Sequence, residues 1–275
     1  MRIVTASDHK YFHALLSLLG SIIHHYGDRL IVSVYDIGMK PNELAYLQRI
    51  PIVELKEVPK VNPQILTPIA KHPGPGHRTV PGSYSWKPVC VFEELVIHHE
   101  IFWLDAGTML LKPIDCLFSH TRWAGHFFIQ QGNNYWQTPA SLARKFQLGA
   151  HEMQAPAINS AMMGYTDDTM DMVEECYFLS HDVTNFVDDG TAGGGPDSGR
   201  HDQTVFSIVA TKLGRLPISA EKPFPVFGGD KIEFAHIAAE RGQINEHTLI
   251  YHCRQDNDYM GFKRELIKTY GQWTI

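Results

Sequence analysis

Cysteine is scarce in this chain. Its four residues, Cys90, Cys116, Cys176 and Cys253, form no Cys-x-x-Cys pair, which excludes a zinc ribbon or dithiol redox centre of that spacing, and they read as reduced, mostly buried thiols. Long apolar runs are missing too: stretches such as Ala14 to Leu19 and Leu30 to Val34 fall far short of the roughly 20 residues that cross a bilayer, so no transmembrane segment is expected. Basic charge is not in excess. Lys plus Arg is 24 against 30 Asp plus Glu, a net charge of −6, and such a surface repels a phosphate backbone, which argues against nucleic acid as a partner. The opening residues turn acidic by Asp8 without the apolar core or small-residue cleavage site of a signal peptide, so the expected location is the cytoplasm. Neither an internal repeat nor a clear linker interrupts the chain.

What is present suits a packed globular chain: 44% hydrophobic and 20% charged residues over 275 positions exclude extended disorder and fit a single α/β domain. The sixteen histidines are more than any one site uses, so most are expected at the surface or behind a site. Ile3-Val4-Thr5 is β-prone and opens through Ala6-Ser7-Asp8-His9 into an apolar-periodic segment, Tyr11 to Tyr26, that stops at Gly27; this predicts strand, loop, helix. Leu30 to Tyr35 followed by Pro41 to Ile50 repeats the pattern, and two βα units in a row imply a parallel sheet. Ile52 to Val58, with Glu54, Lys56 and Glu57 interleaved, reads as an edge strand.

Six prolines and three glycines between Asn62 and Pro88 predict an irregular stretch flanking the site. Trp86 to His99 restores a helix, and Ile101-Phe102-Trp103-Leu104 is a buried strand running straight into Asp105. Downstream, a short strand and turn are expected at Met109 to Phe118, and strands at Ala124 to Gln131 and Pro156 to Tyr165. Helices are expected at Pro139 to Phe146, Thr169 to Ser180 and His201 to Leu213, the last ended by Gly214. Five glycines between Asp188 and Arg200 predict a flexible loop, a hinge or lid.

Ligands of open parallel sheets sit at the carboxyl ends of strands, where helix N-termini converge. Asp8 and Asp105 occupy such ends. Asp8 is either a helix N-cap or a contact to a nucleotide base or ribose. Asp105, leaving a buried strand, requires compensation by a cation or an Arg. Asp202 caps its helix or serves a site, and Asn159 is a hydrogen-bonding amide or closes a turn. His72, His77 and Arg78 are candidates for lining a substrate, and Tyr84, Trp86, Tyr135 and Trp136 are candidates for stacking on sugar rings.

Six motifs in order, Ile3-Val4-Thr5-Ala6-Ser7-Asp8, Tyr35-Asp36-Ile37-Gly38-Met39, Trp86-Lys87-Pro88, Trp103-Leu104-Asp105-Ala106-Gly107, Ile158-Asn159-Ser160 and His201-Asp202-Gln203, resemble glycosyltransferases of the GT-A fold, family 8 and its relatives of uncharacterised type above all. The resemblance spans nearly the whole chain. It implies a Rossmann-like α/β fold with a mixed, mostly parallel central sheet flanked by helices in one domain, residues 1 to about 110 binding nucleotide and about 111 to 275 binding acceptor.

The implied reaction moves a sugar from a nucleotide-sugar donor, usually a UDP-sugar, to an acceptor hydroxyl on a glycan, lipid or protein, with retention, assisted by Mn²⁺ or Mg²⁺. The metal-binding Asp-x-Asp motif here reads Asp105-Ala106-Gly107, without its second carboxylate. By likeness, Asp105, Gly107 and His252 are the expected metal ligands. Thr5, Ala6, Asp8, Lys87, Asp105, Ala106, Asn159 and Lys263 are the expected donor-binding residues, and Arg254 is a further candidate to neutralise the diphosphate. Asp202 and Gln203 are the expected catalytic pair beside the donor sugar. The incomplete motif leaves an alternative open, a catalytically impaired transferase-like protein that binds a glycan or nucleotide without turnover.

Overall fold

The computed structural model describes residues 1–218, 226–228, 244–252 and 260–271; Cys253 and Arg254 lie outside them. The first third of the chain runs β1 (Arg2–Ser7), α1 (Phe12–Tyr26), β2 (Val32–Asp36), α2 (Pro41–Leu47), β3 (Val53–Glu57), β4 (Pro68–Ala70), β5 (Thr79–Pro81) and α3 (Trp86–His98). There follow β6 (Glu100–Leu104), β7 (Thr108–Leu110), α4 (Asp115–Ala124), β8 (His126–Asn133), α5 (Asn134–Gln137), α6 (Ala140–Lys145), α7 (Ala150–Gln154) and β9 (Pro156–Thr166). The remaining elements are α8 (Met170–Leu179), α9 (Asp202–Lys212), β10 (Val226–Gly228), β11 (Ile250–His252) and α10 (Phe262–Tyr270). The fold is mixed α/β, its strands mostly parallel and flanked by helices, as the sequence predicts.

Two compact units interleave along the chain: Met1–Glu57, Glu100–Trp123 and Ala220–Ile275 make the first, Val58–His99 and Ala124–Ser219 the second. In the first unit, β3, β2, β1 and β6 pair in that order, all parallel. Each βα unit ends as its residues dictate. Gly27 stops α1 at φ 63°, a conformation that costs glycine nothing. Asp36 Oδ1 accepts the amides of Gly38 and Met39, turning the chain after β2, and Pro41 opens α2 with Glu43 accepting the Lys40 amide. Strand β3 has no buried residue, its five being exposed or half-buried, as suits an edge, and its Glu54 pairs with Arg2. A second small sheet sets β11 between β10, parallel, and β7, antiparallel. Met109, Tyr251 and Phe262 pack there into one cluster. Gly20 lets α10 approach α1 closely: a Cβ there would lie 2.4 Å from the Phe262 carbonyl oxygen.

In the second unit, β8 and β9 pair antiparallel with register shifts on either side of Gln130. Helix α9 lies on β9, with the Ser207 hydroxyl accepting the Ile158 amide. The stretch after Asn62 is more ordered than its prolines suggest: β4 and β5 form a short antiparallel hairpin, because Pro68 and Pro81 face each other at its end, where neither has to donate. The segment from Asp188 to Arg200 holds no helix or strand, as expected of a loop, and its glycines make defined contacts. The Gly193 and Gly194 amides donate to the carbonyls of Tyr135 and Trp136, and a Cβ on Gly199 would lie 2.3 Å from the Asp188 carboxylate. Its glycines permit close packing. Cys90 and Cys176 are buried free thiols and Cys116 is an exposed one, in keeping with the expectation of mostly buried, reduced cysteines. No described helix is long and apolar enough to cross a membrane.

Candidate functional site

The first unit carries the acid at the end of β6. Trp103 and Asp105 are two residues apart on an extended chain and so lie on one side of it; the fully buried Trp103 indole donates to Asp105 Oδ1 at 2.8 Å. Behind it the chain turns sharply, Thr108 donating to the Asp105 carbonyl oxygen through both its amide (2.9 Å) and its hydroxyl (2.7 Å). Ala106 and Gly107 occupy that turn. Thr108 then stands opposite His252 in the antiparallel register of β7 and β11. The backbone therefore brings the C-terminal histidine next to the strand that follows Asp105.

At the end of β1, Asp8 acts as a cap: its Oδ1 accepts the Tyr11 amide at 3.0 Å. His9 Nδ1 sits 2.6 Å from Glu43 Oε1 beside it. Thr5 and Ala6 are buried within β1, and the Thr5 hydroxyl has no hydrogen-bond partner among the described residues. Lys263 lies in the first turn of α10, after Gly261 at φ 74°.

The donor chemistry of this unit suits a hard divalent ion only in part. Asp105 and His252 offer one carboxylate and one imidazole, and among the described residues no three His, Cys, Asp or Glu side chains gather as a ligand set. Such a pair fits an ion that completes its shell with water and phosphate oxygens, in the manner of Mg²⁺. Losing the second carboxylate of the motif lowers the affinity expected of the site.

The second unit gathers the other candidates. Lys87, in the first turn of α3, places Nζ 2.9 Å from Asp202 Oδ2 and 3.2 Å from the Ser160 carbonyl oxygen, with both charged side chains buried. Lys87 is thus engaged by Asp202, a partnership the sequence does not announce. The contact is a buried ion pair at hydrogen-bonding distance. Asp202 is also not the N-cap of α9. That position belongs to His201, at φ 53° and ψ −117°, an unusual conformation for a non-glycine residue.

Gln203, buried, donates from Nε2 to Gln137 Oε1 at 2.6 Å, and Asn159 Oδ1 accepts the Ala161 amide at 2.9 Å, closing a local turn. His201 Nδ1 lies 2.8 Å from the Phe186 carbonyl oxygen and 3.3 Å from Ser83 Oγ. Ser83 and Tyr84 likewise have positive φ. His72 Nδ1, 2.7 Å from the buried Asp188 Oδ2, completes the cluster. Burial lowers the His201 pKa to about 4, opposed by the Phe186 carbonyl and reinforced by Lys71 and His72. His72 is lowered for the same first reason, with Asp188 opposing. Gln137 is the member sequence reasoning missed; Trp103, Ser160 and His201 stand in motifs the sequence singles out, without a role assigned to them there.

No protein-family model and no curated protein matches the chain. Solved structures do. The galactosyltransferase LgtC, in complex with donor and acceptor sugar analogs, matches with a TM-score of 0.51 at 14% identity, covering 100% of this chain and 97% of its own. The apo structure of the bifunctional glycosyltransferase WbbM matches with a TM-score of 0.53 at 12% identity, covering 99% of this chain but 50% of WbbM, so the chain spans half of that protein. Identities this low carry the fold alone, and the fold is GT-A, that of these glycosyltransferases.

Proposed function

We propose, with that fold as the premise, that this chain is a glycosyltransferase of the family 8 type, acting as one transferase domain. It moves a sugar from a UDP-sugar to an acceptor hydroxyl with retention, assisted by Mn²⁺ or Mg²⁺. One observation supports the reading above the rest: Asp202 is a buried carboxylate in the first turn of α9, held at 2.9 Å by the buried Lys87 ammonium. Burying a charged pair is costly, which fits a carboxylate kept there to meet the positive charge that develops on the donor sugar.

The chemistry follows from charge. As the glycosidic bond to the diphosphate breaks, the anomeric carbon becomes oxocarbenium-like and negative charge grows on the leaving phosphate oxygen. Asp202, fixed by Lys87 and by the N-terminus of α9, is the carboxylate that faces the developing cation. Gln203, braced by Gln137, and Asn159 orient the sugar. Asp105, oriented by Trp103, and His252 hold the divalent ion, with Gly107 contributing its carbonyl. When bound, that ion neutralises the departing diphosphate. Thr5, Ala6, Asp8 and Ala106 line the nucleotide, and Lys263 adds positive charge near the phosphates.

The missing second carboxylate favours the alternative, a protein that binds nucleotide or glycan without turnover. One experiment separates the two. UDP and UDP-sugars are titrated with and without Mn²⁺ while melting temperature and free-sugar release are followed, since a ligand selective for the native state raises the melting temperature. We expect a Mn²⁺-dependent rise that Asp105→Asn and His252→Ala abolish, together with sugar release. A rise without release indicates the binding protein. No rise, or one that Asp105→Asn leaves intact, overturns both the proposed ion site and the donor assignment.

A further inference from the structure

Two large aromatic side chains of the second unit stay in water on a backbone that is held fixed. Tyr135 is 47% exposed and Trp136 58% exposed, both on the four-residue α5. Gln137, in the same turn, is tied three times to α9. Its Oε1 accepts from Gln203 Nε2 (2.6 Å), its Nε2 donates to Ser207 Oγ (3.0 Å), and its carbonyl accepts the Thr204 hydroxyl (2.9 Å). From the other side the Gly193 and Gly194 amides donate to the Tyr135 and Trp136 carbonyls at 3.1 and 3.0 Å. The rings rest on glycine backbone: a Cβ at Gly193 would lie 2.4 Å from Tyr135 Cε1, and one at Gly194 2.8 Å from Trp136 Cε3. Side chains at 193 and 194 would displace the rings.

We propose that Tyr135 and Trp136 are a stacking platform for a neutral glycan, the acceptor of the transfer; this inference rests on the transferase reading. Aromatic rings already immobilised lose little freedom on binding and offer apolar faces to the C–H faces of a pyranose. Position argues for the acceptor, because the platform is continuous through Gln137 with Gln203, the neighbour of Asp202. Charge selects a neutral ligand. The loop beneath the rings carries two exposed carboxylates, Asp189, which accepts from Thr191, and Asp197, 3.5 Å from His77, and they repel phosphate, sulfate and sialic acid groups.

A printed array of neutral, sulfated and sialylated oligosaccharides tests this, probed with the whole protein and with Trp136→Ala, Trp136→Phe and Gly194→Ala. Melting curves confirm that each variant is folded. The wild type is expected to bind neutral glycans. Affinity is expected to fall at least tenfold in Trp136→Ala, to fall in Gly194→Ala, and to recover in Trp136→Phe. Binding to charged glycans alone, to none, or equally well by Trp136→Ala overturns the platform. Sugar release from UDP-sugars by the wild type is measured in parallel: glycan binding lost in Trp136→Ala, with no release from any donor, supports the platform and overturns the transferase reading instead.

Discussion

The ammonium of Lys87 and the carboxylate of Asp202 meet at 2.9 Å, with 4% and 7% of their side chains exposed. Removing either partner strands a buried charge. Asp202→Asn and Lys87→Met are each expected to cost about 3–5 kcal/mol, the range for breaking a buried pair. The double variant Lys87→Met/Asp202→Leu should regain much of that stability, since apolar replacements of a buried pair are often neutral. Activity should separate from stability: donor turnover falls by roughly 10²–10³, as for loss of one transition-state electrostatic contact, and stays low in the double variant. Urea unfolding and sugar release, measured on the same preparations, check both. Folded Asp202→Asn with wild-type turnover would remove Asp202 from the catalytic role.

His201 gives the second unit an acid-sensitive contribution. Burial lowers its pKa to about 4 from the ordinary 6.5, so the native state resists the proton that the unfolded chain takes up. The sign follows: the contribution is complete above about pH 6.5 and is lost as pH falls from there towards 4, at up to about 1.4 kcal/mol per unit. Unfolding free energies of wild type and His201→Gln, measured across that range, should differ in slope, the variant being flatter. Equal slopes would show that the imidazole titrates normally.

Gly20→Ala sets two effects against each other. Alanine raises helix propensity by up to about 1 kcal/mol, yet its Cβ would lie 2.4 Å from the Phe262 carbonyl oxygen. Backbone cannot swing aside as a flexible side chain does, and overpacking of this kind costs about 1–3 kcal/mol. A net loss of stability is expected in urea titration, and a gain would show that α10 sits farther from α1.

Local patterns made much of this fold legible. The run into Asp105, the stop at Gly27 and the charged alternation of β3 are all encoded within a few neighbouring residues, and the structure bears them out. Asp8 as a cap was one of the two readings the sequence allowed, and the hydrogen bond to Tyr11 satisfies it. What escaped depends on partners far apart in the chain. The ion pair of Lys87 with Asp202 and the Gln137 link to Gln203 leave no periodic trace. The β4–β5 hairpin was hidden because proline counts argue against strands, although prolines at a hairpin end sacrifice no hydrogen bond. The glycine loop is only partly legible for a related reason: composition does not reveal the close approaches that Gly193, Gly194 and Gly199 make.

The Trp103 indole, 2.8 Å from Asp105 Oδ1, offers a test of the ion site that spares its ligands. Trp103→Phe keeps an aromatic ring in the core and deletes the indole N–H that donates to the carboxylate. Partners standing behind a metal ligand typically change metal affinity by about 10–100-fold, so the Mn²⁺ concentration required for half-maximal UDP-induced stabilisation should rise by that order. Loss of a buried hydrogen bond and of ring volume lowers global stability as well, so the comparison uses the Mn²⁺ dependence of the melting shift rather than its absolute value. A purely structural tryptophan would lower the melting temperature and leave the Mn²⁺ midpoint in place; a displaced midpoint ties the indole to the carboxylate's work at the end of β6.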